Sequence, residues 1–364
     1  MKILSVVGAR PQFIKAAPLS QKLRRPHQEV LLHTGQHYDY LLSQVFFEEL
    51  GLPEPDYNLG VGSGSHGRQT ARMLMGIEKV LLQEKPDLVL VYGDTNSTLA
   101  GALAAAKQHI PVAHVEAGLR SFDRRMPEEI NRVIADHLCT LLFCPTATAV
   151  RNLKAEGIRK GAYRVGDVMV DTLQAGLRLT TRARASALLE RLDLTPKTYL
   201  LATFHRAANT DDLRNLSSIL AAFNALEETV VFPVHPRTRE AIKALGWKAG
   251  PKVRFLKPLS YLDNLILEKS ARLILTDSGG MQKEAYLLGV PCLTLRIETE
   301  WVETVEAGWN LLVGSDTESI VEGVRSFRPR GRRRRFMGGG DASDEILSIL
   351  EKFSEHPLGN GVLS

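Results

Sequence analysis

The chain has 364 residues, of which 44% are apolar and 24% charged, and this length suits two globular domains better than one ordinary core. No apolar run approaches the roughly 20 residues of a membrane span, and the opening Lys2 and Ile3–Val7, cut short by Gly8, do not read as a signal peptide. The formal charge of +5 suits a diphosphate ligand, and the basic run 328–335 lies beside Gly and Pro without interleaved aromatics, so it reads as a solvated loop and not as a nucleic-acid surface.

The N-terminal half alternates strand-like and helix-like segments. Strands are predicted at 2–8, 29–35, 87–93, 111–117, 141–145 and 162–165, with helices at 98–108 and 128–138 among the segments between them. The strand runs are almost continuously apolar, as in parallel strands buried on both faces. The second half repeats the alternation, with strands at 199–205, 229–235, 253–258, 273–278, 291–296 and 310–314. This is the pattern of two doubly wound α/β domains, placed at 1–167 and 168–343. A last helix at 344–353, within the segment 344–364, can pack back on the first domain. Cys139, Cys144 and Cys292 make no C-x-x-C pair and no zinc spacing, which points to a reducing cytoplasm.

Ligands of doubly wound sheets sit outside the carboxyl ends of the strands, so the residues at those ends matter most. After the first strand come Arg10 and Lys15, cations near a helix start where the dipole does not favour them. After the third comes Asp94, in a position that also suits a helix cap. Glu116 falls in a run otherwise suited to a buried strand, where a carboxylate needs a partner or a task. Glu128 opens a helix that continues to Arg132, and its placement also suits the helix dipole. Three carboxylates at neighbouring strand ends can act as paired acids and bases. In the second half His205-Arg206 and His235 follow two strands, and Arg296 ends another, which suits an anion-facing surface. Thr276-Asp277-Ser278-Gly279-Gly280 joins a strand to the helix 281–288. Small residues there let the backbone approach a phosphate at the helix start, with Glu284 one turn further on. No G-x-G-x-x-G follows the first strand, and no P-loop is present.

Gly8-Ala9-Arg10-Pro11 with Lys15, Gly93-Asp94-Thr95, His114-Val115-Glu116-Ala117-Gly118-Leu119-Arg120, Pro127-Glu128-Glu129 with Asn131-Arg132, and 276–280 with Glu284 stand in this order along the chain. Together they closely resemble the non-hydrolysing UDP-N-acetylglucosamine 2-epimerases over almost the whole sequence. The resemblance implies a GT-B-like fold, two Rossmann-like domains facing each other across a cleft that holds the active site. It implies a UDP-sugar substrate, a homodimer in the cytoplasm, and no cofactor, metal, nucleic-acid or membrane partner. By motif position it makes Asp94, Glu116, Glu128 and His205 the catalytic candidates. Arg10, Lys15, His235, Ser278, Gly279, Gly280 and Glu284 become the UDP-binding candidates, joined by Arg132 and Arg296. The implied route is elimination: UDP leaves C1 while a base takes the C2 proton, giving 2-acetamidoglucal, and UDP adds back with protonation from the other face.

Three stretches depart from the family pattern. Members activated by their own substrate commonly have Gln-His-Arg where this chain has Gln36-His37-Tyr38, and His-Arg-Arg-Glu where it has His205-Arg206-Ala207-Ala208. Gln36, Arg68, Arg206 and His235 still match a second, allosteric site. Weak or absent activation is therefore expected, with rates that are not sigmoidal in substrate. Thr299-Glu300-Trp301-Val302-Glu303 replaces the common Thr-Glu-Arg-Pro-Glu, and a similar Trp form occurs in relatives acting on UDP-2,3-diacetamido-glucuronic acid. The run 330–335 before Gly338-Gly339-Gly340 is the third. A GT-B glycosyltransferase would share the fold and the Gly-rich turn but would not need Asp94, Glu116 and Glu128.

Overall fold

Parallel strands need crossover helices, and those helices cover both faces of the sheet. The inner strands of this chain accordingly bury nearly every side chain: in β1 (Lys2–Val7), Ile3, Leu4, Val6 and Val7 are all inaccessible. The computed structural model describes residues 1–36 and 49–355. The chain divides into one unit built from Met1–Ala175 with the segment from Arg335 onward, and a second built from Gly176–Arg334.

The first unit carries β1, β2 (Gln28–His33), β3 (Tyr57–Asn58), β4 (Leu88–Tyr92), β5 (Val112–Val115), β6 (Leu141–Cys144) and β7 (Ala162–Arg164). They form one sheet in the order β3-β2-β1-β4-β5-β6-β7, and every pair is parallel. The second unit carries β8 (Tyr199–Thr203), β9 (Thr229–Pro233), β10 (Val253–Leu256), β11 (Leu273–Thr276), β12 (Cys292–Thr294) and β13 (Asn310–Leu312). Its order is β10-β9-β8-β11-β12-β13, again all parallel. Each sheet winds one way from its first strand and then the other. The reversals open crevices between β1 and β4 in one unit and between β8 and β11 in the other.

The long apolar runs all became strands, but two details differ from the sequence reading. Tyr57–Asn58 pairs with β2 without any apolar run to announce it. The strands also stop earlier than predicted. Glu116 and Ala117, placed in the fourth strand, lie past its end, because Glu116 has φ 73° and both its amide and that of Ala117 donate to the Phe143 carbonyl at 3.1 Å. A left-handed residue cannot continue a strand.

The helix Val168–Leu179, assigned by sequence to the second domain, begins in the first unit. Thr172 Oγ1 donates to the Ile14 carbonyl at 2.7 Å, and Asp171 accepts from the Ser343 amide at 3.1 Å. The final helix, Ala342–Glu355, packs on the helix Arg10–Leu23, with Lys22 Nζ 2.6 Å from Asp344. Among the described residues no helix is long and apolar enough to cross a membrane.

Candidate active site

The crevice of the first unit is built around Gln12. Its Oε1 accepts from the amides of Gly8 (2.9 Å) and Ala9 (3.1 Å), and its Nε2 donates to the Tyr92 carbonyl at 2.9 Å. One side chain thus ties the end of β1 to the end of β4. Gly8 permits this closeness, since a Cβ there would stand 2.0 Å from Thr34 Oγ1. Arg10 begins the helix, half-buried, and Lys15 points from the same helix into the crevice. The Lys15 ammonium pairs with Glu116, and both side chains are about nine-tenths buried. Gly93, at φ 63°, lies against them: a Cβ would come 2.8 Å from Lys15 Nζ. Glu116 has no such freedom, and its left-handed backbone carries strain of about 1–3 kcal/mol that the surrounding bonds must hold.

Asp94 follows at the end of β4. Thr95, and not Asp94, occupies the N-cap position of the helix Asn96–Lys107, and its side chain makes no cap bond. Its carboxylate pairs with Arg132, whose side chain is almost wholly buried, and Asn131 Nδ2 donates to the Asp94 carbonyl at 3.0 Å. Both partners come from the helix Pro127–Leu138, which thereby fixes Asp94 beside the end of β5. Arg132 also reaches Glu129 at 2.8 Å. Glu128 sits on the first turn of that helix, partly exposed, with no hydrogen bond or ion pair to any described residue. It is poised to meet something brought in from solvent.

Behind these groups lies a buried network to which sequence reasoning gave no role. His114 Nδ1 lies 2.7 Å from Asp136, and its Nε2 lies 2.7 Å from the Gly93 carbonyl. A carbonyl only accepts, so Nε2 carries a proton and anchors the Gly93–Asp94 turn. Asp136 also takes the Gly118 amide at 3.1 Å and Arg120 at 2.7 Å. Burial opposes the charge of Asp136, but His114 and Arg120 beside it outweigh that and hold the carboxyl below the usual range. The signal for this network was the spacing of Glu129, Arg132 and Asp136, which puts three charged residues on one helix face that also buries Ala135.

In the second unit the end of β11 faces the end of β8. Asp277, inaccessible to solvent, accepts from the amides of His205 (3.1 Å) and Arg206 (3.0 Å) and from Asn209 Nδ2 (3.0 Å). The His205 ring projects outward, with its centroid 6.0 Å from that of His235. His235 caps the helix Pro236–Leu245, its Nδ1 accepting from the Arg237 amide at 3.3 Å. The helix Gly279–Leu288 starts at Ser278, whose side chain makes no cap bond, so the first-turn N–H groups of Gly279 and Gly280 stay uncapped by it. Glu284 lies one turn along, buried. Arg296 is not the solvated strand end that its position allowed. It is 7% exposed and pairs with Glu298 (3.0 Å) and Glu300 (2.9 Å), and Arg206 approaches Glu300 at 3.5 Å.

The sequence model of the UDP-N-acetylglucosamine 2-epimerases matches residues 21–351. The chain belongs to the UDP-N-acetylglucosamine 2-epimerase family, a family of isomerases. It is 54% identical to a UDP-N-acetylglucosamine 2-epimerase homolog of Methanococcus maripaludis, across 96% of this chain and 99% of the relative. It is 49% identical to the UDP-2,3-diacetamido-2,3-dideoxy-D-glucuronate 2-epimerase of Pseudomonas aeruginosa, across 97% of this chain and 100% of the relative. The crystal structure of the Methanocaldococcus jannaschii UDP-GlcNAc 2-epimerase, in complex with UDP-GlcNAc and UDP, superposes with a TM-score of 0.92 at 44% identity, covering 97% of this chain and 100% of that one.

Against the family pattern, Trp301 is the departure that the structure describes most fully. Its side chain is buried, its Nε1 lies 3.2 Å from the place a Cβ on Gly279 would take, and Lys283 Nζ stands 4.3 Å from its ring centroid. Trp301 is therefore packed beneath the start of the Gly-rich helix. Gly279 is required there, since a Cβ would also meet Glu300 Oε1 at 2.3 Å. Of the residues expected at a second site, Gln36 accepts from Ser97 Oγ at 2.8 Å. Arg68 lines an open pocket of about 270 Å³ with Arg72, Gln69 and Ser65. Arg206 belongs to the other unit, and His37, Tyr38 and Asp39 lie outside the described residues.

Proposed function

We propose that this chain interconverts UDP-N-acetylglucosamine and UDP-N-acetylmannosamine by eliminating UDP to 2-acetamidoglucal and adding it back. The observation that carries the reading is the pair Asp94 and Glu116. These are two carboxylates at adjacent strand ends, Glu116 buried against Lys15 and Asp94 partly exposed beside Arg132, with Glu128, whose side chain pairs with no described residue, opening the next helix. The C2 proton is not next to a carbonyl and is barely acidic, so its removal must be coupled to departure of UDP. Inversion at C2 requires proton transfer on both faces of the sugar, and that requires more than one carboxylate. Lys15 and Arg132 orient these groups; Arg10, at the helix start beside them, meets the diphosphate.

The second unit takes UDP. The helix start at Ser278, Gly279 and Gly280 receives a phosphate on its N–H groups. His205, Arg206 and His235 place donors where charge develops on the leaving group, Arg296 stands behind them in an ion pair with Glu300, and Glu284 accepts from the ribose hydroxyls. The M. jannaschii relative, crystallised in complex with UDP-GlcNAc and UDP, supports a UDP-sugar as the ligand.

A second reading, C2 epimerisation of UDP-2,3-diacetamido-2,3-dideoxyglucuronic acid, is favoured by Trp301 and by the 49% identity to an epimerase of that sugar. Incubation with each UDP-sugar alone in deuterated water decides between them. Deuterium at C2 of both epimers of UDP-N-acetylglucosamine, without free sugar, is the expected outcome. Exchange confined to the diacetamido uronic sugar would replace the first reading by the second, and exchange with neither would end both.

A further inference from the structure

Phe122 is an aromatic residue in a left-handed backbone conformation, φ 60°, and its side chain is 78% exposed. Bulky side chains rarely take this conformation, and strain of this kind persists only where the surroundings impose it. Here Glu129 imposes it. That carboxylate is 2% exposed and accepts from the Phe122 amide at 2.9 Å, the Ser121 amide at 2.9 Å and Ser121 Oγ at 3.0 Å. Its remaining partner is Arg132, at 2.8 Å, whose other arm holds Asp94. A buried charge is thus committed to fixing a strained loop that presents a ring to solvent. The ring contributes nothing to the core, and glycine would hold the loop with less strain. Its use lies with something that arrives from outside.

Its position says what arrives. Phe122 lies between Glu116, at the end of β5, and Glu128, on the first turn of the next helix, and the network beneath it ends on Asp94. The Phe122 amide is joined through Glu129 and Arg132 to Asp94, so this loop stands beside the crevice that Asp94 borders. We infer that Phe122 contacts the sugar and retains the unsaturated intermediate between elimination and re-addition. This rests on the elimination route proposed above. In that route the C1–O bond breaks with its electron pair leaving on UDP, the C2 proton passes to a carboxylate, and a C1–C2 double bond forms. The sugar is then neutral and no longer tethered to the diphosphate. Hydrogen bonds to its hydroxyls leave its C–H face uncovered. An apolar ring face against the C–H surface of the sugar holds it without offering a proton or a nucleophile.

The test compares the full-length protein with Phe122→Gly, which removes the ring and relieves the left-handed strain, and with Phe122→Tyr, which keeps the ring. Each is incubated with UDP-N-acetylglucosamine in deuterated water, and free 2-acetamidoglucal and UDP are quantified against C2 deuteration. The glycine variant is expected to release about tenfold more glucal per exchange event, the effect of losing one apolar contact, while the tyrosine variant matches the parent. A glycine variant that exchanges at C2 and releases no more glucal than the parent would overturn the inference alone. So would a glycine variant whose only change, by light scattering, is in association of the chain. Absence of exchange in the parent would overturn the elimination route and this inference with it.

Discussion

Asp94→Asn is expected to slow deuterium exchange at C2 by about 10²–10⁴-fold, the usual worth of a positioned acid or base. Dissociation of UDP, measured by calorimetry, should change by less than about threefold, because the groups assigned to UDP lie mainly on the second unit. The substitution keeps the shape of the side chain and its hydrogen bond from Arg132, whose buried guanidinium retains Glu129 at 2.8 Å. Loss of activity would therefore not come from a collapsed helix Pro127–Leu138. If the Asn variant exchanged at the parental rate, Asp94 would leave the mechanism, and its ion pair with Arg132 would be a structural one only.

Asp277→Ala should have the largest effect on stability. Asp277 is inaccessible to solvent and is the shared acceptor for His205 N, Arg206 N and Asn209 Nδ2. Alanine leaves those donors without their carboxylate, and a buried donor that loses its partner costs about 1–3 kcal/mol. Losses within one network do not add fully, so a total of about 3 kcal/mol is expected from the shift of the urea midpoint. The loop bearing His205 and Arg206 loses its anchor as well, so UDP affinity should fall together with stability. Asp277→Asn, which keeps an acceptor oxygen, should lie between. An alanine variant as stable as the parent would mean that the 205–209 loop is held by other contacts.

The two sheets were legible because a parallel sheet demands apolar runs without alternation, and this chain supplies one for every inner strand, while the edge strand Tyr57–Asn58 has none. That strand is two residues long and is carried by its pairing with β2 and not by its composition. Strand ends were less legible. They depend on where the backbone turns left-handed, and nothing local distinguishes Glu116 from a strand residue; only its amide bond to Phe143, 27 residues away in sequence, decides it.

The site candidates were named from motif order, and the geometry gathers the first-domain set at one crevice and the second-domain set at another. What the sequence concealed was which partner each side chain has. Glu128 and Glu129 are adjacent and chemically alike, yet one faces solvent and the other closes a buried network, because successive helix positions differ by about 100°. The register that buries Arg132, Ala135 and Asp136 selects Glu129 for the interior. Asp277 was quoted as part of a glycine-rich turn, and its actual task, bracing the loop after β8, depends on two strands being neighbours in the sheet. Trp301 stands out in the sequence as a departure from the family pattern, and its place against Lys283 and Gly279 follows only from the fold.

Epimerisation by the proposed route breaks and re-forms the bond between C1 and the diphosphate. The most direct measurement uses UDP-N-acetylglucosamine carrying oxygen-18 in the bridge between C1 and the β-phosphorus. Released UDP held at the helix start of the second unit can turn its terminal phosphate before adding back. The account predicts that the label scrambles into non-bridging positions, seen by phosphorus NMR, while the C2 epimer forms. Complete epimerisation with all of the label still in the bridge would contradict it.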